Sequence, residues 1–326
     1  SPSGFKSSLN YNIVERVYLP LDTKKNAKNF INKINPNVAV FVKNDIWTNY
    51  LIELKKKEIP IYSISSKFYK SQFYFQPYGK WFLNKLKQID YFFVQDKSSK
   101  ELLNLNHINN VSITGDTRID RVKEIAKQEK KFDSIKKFIN NDICFIAGSS
   151  WEADNDIFLK SILESGNLKT IIAPHNVIAS DIENLEKKTQ SLSVRYSRID
   201  QDLDSSKKIL IIDSIGSLKH LYKFADIVYI GGGMGDSGLH NILEAAVFAI
   251  PVIIGKNYKG FAEAEKLVKL GGVKSVNSKI EFDDIFNNLI SDKTDRIKMG
   301  EINKKYIYSN SGGSKTIIKA LTKSLN

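Results

Sequence analysis

The chain has 326 residues, 42% of them hydrophobic, which is enough to fill two cores of ordinary size. Its one cysteine, Cys144, excludes a disulfide framework and a cysteine-based metal site and fits a reducing cytoplasm; four scattered histidines give no metal-ligand spacing, so no metal is expected. No apolar run reaches the roughly 20 residues of a membrane-spanning helix, while 49 Lys+Arg against 36 Asp+Glu leave a net charge of +13, which favours either a polyanionic partner or merely solvated helix faces.

The lysines are scattered, with Lys55 to Lys57 the densest run, and no nucleic-acid motif accompanies them, so nucleic acid is not the expected partner. Apolar strands alternate with helical patterns, which predicts an α/β chain of parallel sheets with helices on both faces. The first series holds a short strand at 17–19 and a helix over 23–34 stopped by Asn35-Pro36. Strands at 38–42 and 61–64 follow, then an aromatic-rich loop and a helix to about 89, a strand at 91–95, a helix over 98–105 and a strand at 111–114. Residues 115–121 read as a turn, and 122–140 as a Lys-rich helical segment of low apolar content. That sets the expected boundary, with one Rossmann-like unit over 1–122 and a second over 123–326.

The second series places strands at 143–147, 170–173, 209–212, 227–230 and 252–254, with helices over 152–163, 182–192 and 261–270; a last helix over 316–325 is expected to pack back on the first unit. Between the strand at 227–230 and a helix predicted to start near His240 lie Gly231, Gly232, Gly233, Gly235 and Gly238. Glycines there let backbone N–H groups turn onto an anion such as phosphate. His240, Asn241 and Glu244 are expected in that helix's first turn, where a carboxylate can accept from two sugar hydroxyls while Ile242, Leu243, Ala246 and Val247 face the core. The reading is a nucleotide-sugar pocket; a Gly-rich turn without a ligand is the plainer alternative.

Ligands of open α/β sheets bind beyond the carboxyl ends of strands. Gly148-Ser149-Ser150, Pro174-His175 and the segment from Asp213 to Gly216 occupy such positions beside the glycine loop, although helix capping alone would account for Ser149 or Ser150 and His175 suits an ordinary loop. In the first half, Asp45 follows a strand and precedes Trp47, as a proton acceptor for a substrate hydroxyl or as a helix N-cap. Lys43 beside it, and Lys67 at the edge of the aromatic loop, offer charge to an acceptor or remain solvated.

Taken in order, these segments resemble the 3-deoxy-D-manno-octulosonic acid (Kdo) transferases of lipid A and lipopolysaccharide assembly. The resemblance runs through SPSG at the start, VYLPLD, NDIWTNYLIELKKKEIPI, YFFVQDKSSKELL and VSITGDTRID, then FIAGSSWEADN, IIAPHN, DSIGSLKHLYKFADIVYIGGG, GLHNILEAAVFAIPVIIG and FAEAEKLV. It implies a GT-B glycosyltransferase with two Rossmann-like domains facing a cleft, moving Kdo from CMP-Kdo to a lipid A precursor with inversion, without a metal or other cofactor. Carried over by position, Gly232, Gly233, His240, Asn241 and Glu244 belong to the CMP-binding motif, Gly148, Ser149 and Ser150 to the donor loop, and Gly216 to a glycine turn; Asp45 stands where the family usually has Glu.

Many members have an arginine between the proline and histidine of the motif at Pro174-His175; here the two are adjacent, so another cation is expected to balance the donor's charge. The family's proposed base is a Glu upstream of the segment matching SPSG, and a membrane anchor usually precedes it. The chain is therefore expected to be a member shown without its N-terminal part, working at the cytoplasmic face of the inner membrane on an anionic surface. A UDP-sugar-dependent GT-B enzyme or epimerase, and a non-catalytic protein binding an anionic ligand, are the alternatives.

Overall fold

The structure is a computed structural model that describes Glu15 and residues 17–325; the SPSG segment lies outside the described residues. The chain divides into two compact units, one of 1–117 with 312–326 and one of 118–311.

In the first unit β1 (Ala39–Val42), β2 (Ile61–Ser66), β3 (Tyr91–Val94) and β4 (Val111–Ile113) run parallel in the order β1-β2-β3-β4. Consecutive parallel strands need crossovers, and these are the helices Thr48–Lys56, Lys80–Leu86 and Lys97–Leu105. Their apolar stripes bury Leu51, Leu54, Leu86 and Leu103 on one sheet face with Phe68 and Phe92, and the helix Lys24–Ile34 adds Ala27 and Ile31. Each large side chain so buried contributes about 1.5–3 kcal/mol. On the opposite face Tyr62 and Phe93 meet Ile317 of the C-terminal helix Gly313–Leu325.

Two expectations fail in this stretch. Residues 17–19 are not a strand; the chain there leads into Pro20, whose carbonyl accepts from Tyr50 Oη at 2.8 Å. Residues 115–121 are not all turn, because a helix starts at Thr117 and runs to Ala126, burying Ile119 and Val122.

The second unit is a seven-stranded parallel sheet among the described residues. Its strands are β5 (Ile143–Ser150), β6 (Leu168–Pro174), β7 (Ser193–Arg195), β8 (Ile209–Ile211), β9 (Ile227–Ile230), β10 (Val252–Gly255) and β11 (Val273–Val276), in the order β11-β10-β9-β5-β6-β8-β7. Strand periodicity divides the core: Cys144 and Ile146 face one layer of helices with Phe138, Leu243 and Leu267, and Phe145 and Ala147 face the other with Phe158, Leu185 and Phe286. Burial pushes the Cys144 thiol well above its usual range, so it stays an apolar core group.

Candidate functional site

Strands β5 and β9 are neighbours, but the chain leaves β5 towards β6 and leaves β9 towards β10 on the opposite side. Their loops diverge, which opens a crevice at the carboxyl ends of both strands. β5 closes with Gly148-Ser149-Ser150, where a bulge interrupts its pairing with β6 and Ser149 takes a left-handed φ of 54°. A non-glycine residue held there stores local strain. Gly148 has no alternative, since a Cβ would collide with the hydroxyl of fully buried Tyr222.

The glycine loop is bound to this turn. Gly231 N–H donates to Gly148 O at 2.9 Å, and His240 N–H returns to Gly231 O at 3.1 Å. Beneath both lies Asp154, fully buried in the first turn of the helix Glu152–Glu164. Its Oδ2 accepts from Trp151 N–H at 2.9 Å and Gly232 N–H at 2.8 Å; its Oδ1 accepts from Tyr229 Oη at 2.8 Å and Met234 N–H at 3.4 Å. Sequence reading missed Asp154. The available signal was an acid three residues into a helix that follows a Gly-Ser-Ser turn, a spacing that suits a capping contact.

The same contacts also give two of the glycines a packing role. A Cβ on Gly231 would meet Ser149 O, and one on Gly232, whose φ is 88°, would meet Gly238 O, so both positions serve chain-on-chain packing.

The helix after the loop is also shorter than expected, spanning Leu243–Ala246, so His240 and Asn241 lie on its approach rather than in its first turn. Ile242, Leu243, Ala246 and Val247 are buried. Asn241 Oδ1 accepts from Leu243 N–H and its Nδ2 donates to Glu244 Oε1, each at 3.3 Å. Burial raises the Glu244 carboxyl above its usual range, against the opposing effects of the Asn241 hydrogen bond and the charges of Arg121 and Lys219. Those two cations were also missed.

Pro174 ends β6 opposite Ser150, and His175 N–H donates to Ser150 O at 2.9 Å. The His175 ring stacks on Trp151 at 4.3 Å and lies 4.5 Å from the His240 ring. Trp151 Nε1–H, which can only donate, points at His240 Nε2 at 3.3 Å, so the His240 proton belongs on Nδ1. Desolvation lowers the pKa of both histidines, and for His240 the neighbouring His175 adds to it. Both rings are therefore neutral at pH 7. Gly216, with φ 96°, is exposed beyond β8, and nothing lies within 4 Å of where a Cβ would stand.

In the first unit Asp45 and Lys43 are exposed just past β1, with Lys43 at φ 56°. Asp45 is not the N-cap of the following helix: that position is Trp47, and the Asp22 carboxylate meets the helix instead, accepting from Asn49 N–H at 3.0 Å. Lys67 lies 3.4 Å from Asp96 and over the Tyr69 ring. Among the described residues no three His, Cys, Asp or Glu side chains are grouped so as to hold a metal, and no helix is long and apolar enough to cross a membrane.

Residues 1–121 match the family model described as 3-deoxy-D-manno-octulosonic-acid transferase (kdotransferase). The 3-deoxy-D-manno-octulosonic acid transferase of Haemophilus influenzae is 26% identical over 317 residues, covering 93% of this chain and 73% of that protein. A bifunctional glycosyltransferase/methyltransferase of Fusobacterium nucleatum is 27% identical over 264 residues, covering 78% of this chain and only 40% of that protein. In structure, the UDP-GlcNAc 2-epimerase of Neisseria meningitidis bound to UDP-GlcNAc aligns with a TM-score of 0.67 at 17% identity, over 95% of this chain and 83% of that one. At that identity the likeness concerns fold alone, and it makes the two Rossmann-like units a GT-B pair. By sequence, this chain is similar to the Kdo transferases, through the family model over residues 1–121 and through individual members along most of its length.

Proposed function

We propose that this chain is a glycosyltransferase that moves Kdo from CMP-Kdo to a lipid A precursor with inversion and without a metal. The carrying observation is that the Gly148-Ser149-Ser150 turn and the glycine loop are joined by the Gly231 to Gly148 hydrogen bond, with Glu244 following within the same unit. The names of the relatives supply the substrate class.

In this reading the acceptor oxygen bonds to the anomeric carbon of Kdo as the bond from that carbon to the phosphate oxygen breaks. The hydroxyl proton passes to a carboxylate, for which Asp45 is proposed, and CMP departs as the anion. Backbone N–H groups of the two loops receive the phosphate, Glu244 takes the ribose hydroxyls, and neutral His240 offers its Nδ1–H. Arg121 and Lys219, whose charges already act on Glu244, are proposed as the cations that balance the donor. Lys43 and Lys67 are proposed on the acceptor side.

The test is Kdo transfer from CMP-Kdo to a tetra-acylated lipid A precursor, alongside calorimetry with CMP and UDP. CMP should bind more tightly than UDP, and a preference for UDP would sink the donor assignment. The net charge of +13 supports a peripheral place on an anionic leaflet, proposed as the cytoplasmic face of the inner membrane. Binding to anionic vesicles should then weaken steeply with salt; salt-independent binding, or none, removes that part.

A further inference from the structure

Between the helices Glu152–Glu164 and Ala179–Thr189 the second unit holds a cavity of 180 Å³, with Ser150, Trp151, Asn155, Pro174, Asn176 and Asp181 on its wall. Ser150 is only 2% exposed and Asn155 only 7%. Ser150 Oγ and Asn155 Oδ1 nevertheless have no hydrogen-bond partner in the protein. A buried polar atom left this way costs about 1–3 kcal/mol, so two such atoms on residues that line one cavity mark a missing partner.

The chemistry of the wall narrows that partner. Asn155 Oδ1 only accepts, so the group it meets must donate, while Ser150 Oγ can do either. An apolar group would leave both unsatisfied. An anion is disfavoured because Lys188, the cation on the wall, already donates to Glu152 at 3.1 Å and lies 3.5 Å from Asp156, whereas Asp181 adds negative charge. Hydroxyls on adjacent carbons both donate and accept, and planar amides and carboxylates such as Asn155, Asn176 and Asp181 suit them in pairs. The volume is below the roughly 300 Å³ at which whole-ligand pockets begin, so a fragment fits and a nucleotide does not.

We infer that this cavity is a subsite for a polyhydroxyl group, the sugar part of a glycosyl substrate whose charged part binds at the adjoining Gly148-Ser149-Ser150 turn. The inference rests on the donor-site reading above. The sugar belongs either to the donor or to the acceptor, and the two sources separate experimentally. Affinities for CMP, CMP-Kdo and the lipid A precursor in detergent are measured by calorimetry for the unaltered chain and for Asn155→Ala. One neutral hydrogen bond contributes about 0.5–1.5 kcal/mol, or a change of about 2-fold to 12-fold.

If the donor's sugar fills the cavity, Asn155→Ala weakens CMP-Kdo by about that factor and leaves CMP unchanged. If the acceptor's does, only the lipid A precursor binds less tightly. Equal weakening of CMP and CMP-Kdo, or no change in any ligand, overturns the inference and leaves the cavity to water. Should Asn155→Ala not fold, the exposed Asn184→Ala on the same wall is read by the same criteria. An unaltered chain that binds neither nucleotide overturns the donor-site reading itself, a result distinct from the others.

Discussion

Removing the Asp154 carboxylate should unfold the loop architecture and weaken CMP binding together. Trp151 N–H, Gly232 N–H and Tyr229 O–H donate to it at 2.9, 2.8 and 2.8 Å, and the residue is fully buried. Asp154→Ala leaves three short donors without an acceptor, each costing about 1–3 kcal/mol; allowing for relaxation, the expected loss is about 4 kcal/mol. Asp154→Asn should cost less, about 2 kcal/mol. Its amide NH₂ cannot face the two N–H donors on the Oδ2 side, but it can take the Oδ1 side, where the Tyr229 hydroxyl is able to turn round and accept and only the long Met234 N–H contact at 3.4 Å is lost.

The assay is denaturant unfolding followed by tryptophan fluorescence, with exposed Trp47 and Trp81 replaced by Phe so that Trp151 reports alone. CMP calorimetry on the same proteins should show affinity falling at least about 10-fold for Asp154→Ala, because Gly232 loses its anchor. A stability loss under about 1 kcal/mol with CMP binding unchanged would refute the reasoning.

Glu244→Gln should raise Tm at pH 7 while weakening CMP. Burial holds the Glu244 carboxyl above its unfolded pKa, so its stability contribution is fully present below that pKa and is lost as pH rises through the folded value; the gain from Gln should therefore vanish on acidification, and a gain that persists in acid refutes the assignment. Gly148→Ala should destabilise by about 1–3 kcal/mol through overpacking against Tyr222, and Tyr222→Phe should recover part of that loss in the double mutant; strict additivity in the cycle would count against the contact. Trp151→Phe keeps an aromatic ring but removes the donor to His240 Nε2, which favours the neutral imidazole, so the His240 pKa followed by NMR should rise; no change or a fall contradicts the proposed tautomer.

The fold was largely legible in the sequence because buried parallel strands read as short apolar runs. YFFV, ICFIA and IVYI each sit between turn residues, and all became central strands. The three-residue β7 and the mixed VKSV of β11 were not seen, being sheet-edge strands with little apolar signal. The helix Leu243–Ala246 begins later than the polar-then-apolar pattern from His240 suggests, because Asn241 uses its Oδ1 to accept from Leu243 N–H and so stands ahead of the first turn.

Of the candidate site, the sequence by itself determined the parts whose signal is local: glycines after a strand, a small-residue turn after another, and an acid just beyond. Tertiary structure alone decided what holds them. Asp154 and Tyr229 are 75 residues apart and Trp151 and His240 are 89 apart, and residue type cannot announce such pairings. They arise because reversal of the winding direction places β9 beside β5, which brings two distant loops within hydrogen-bond reach of one buried carboxylate.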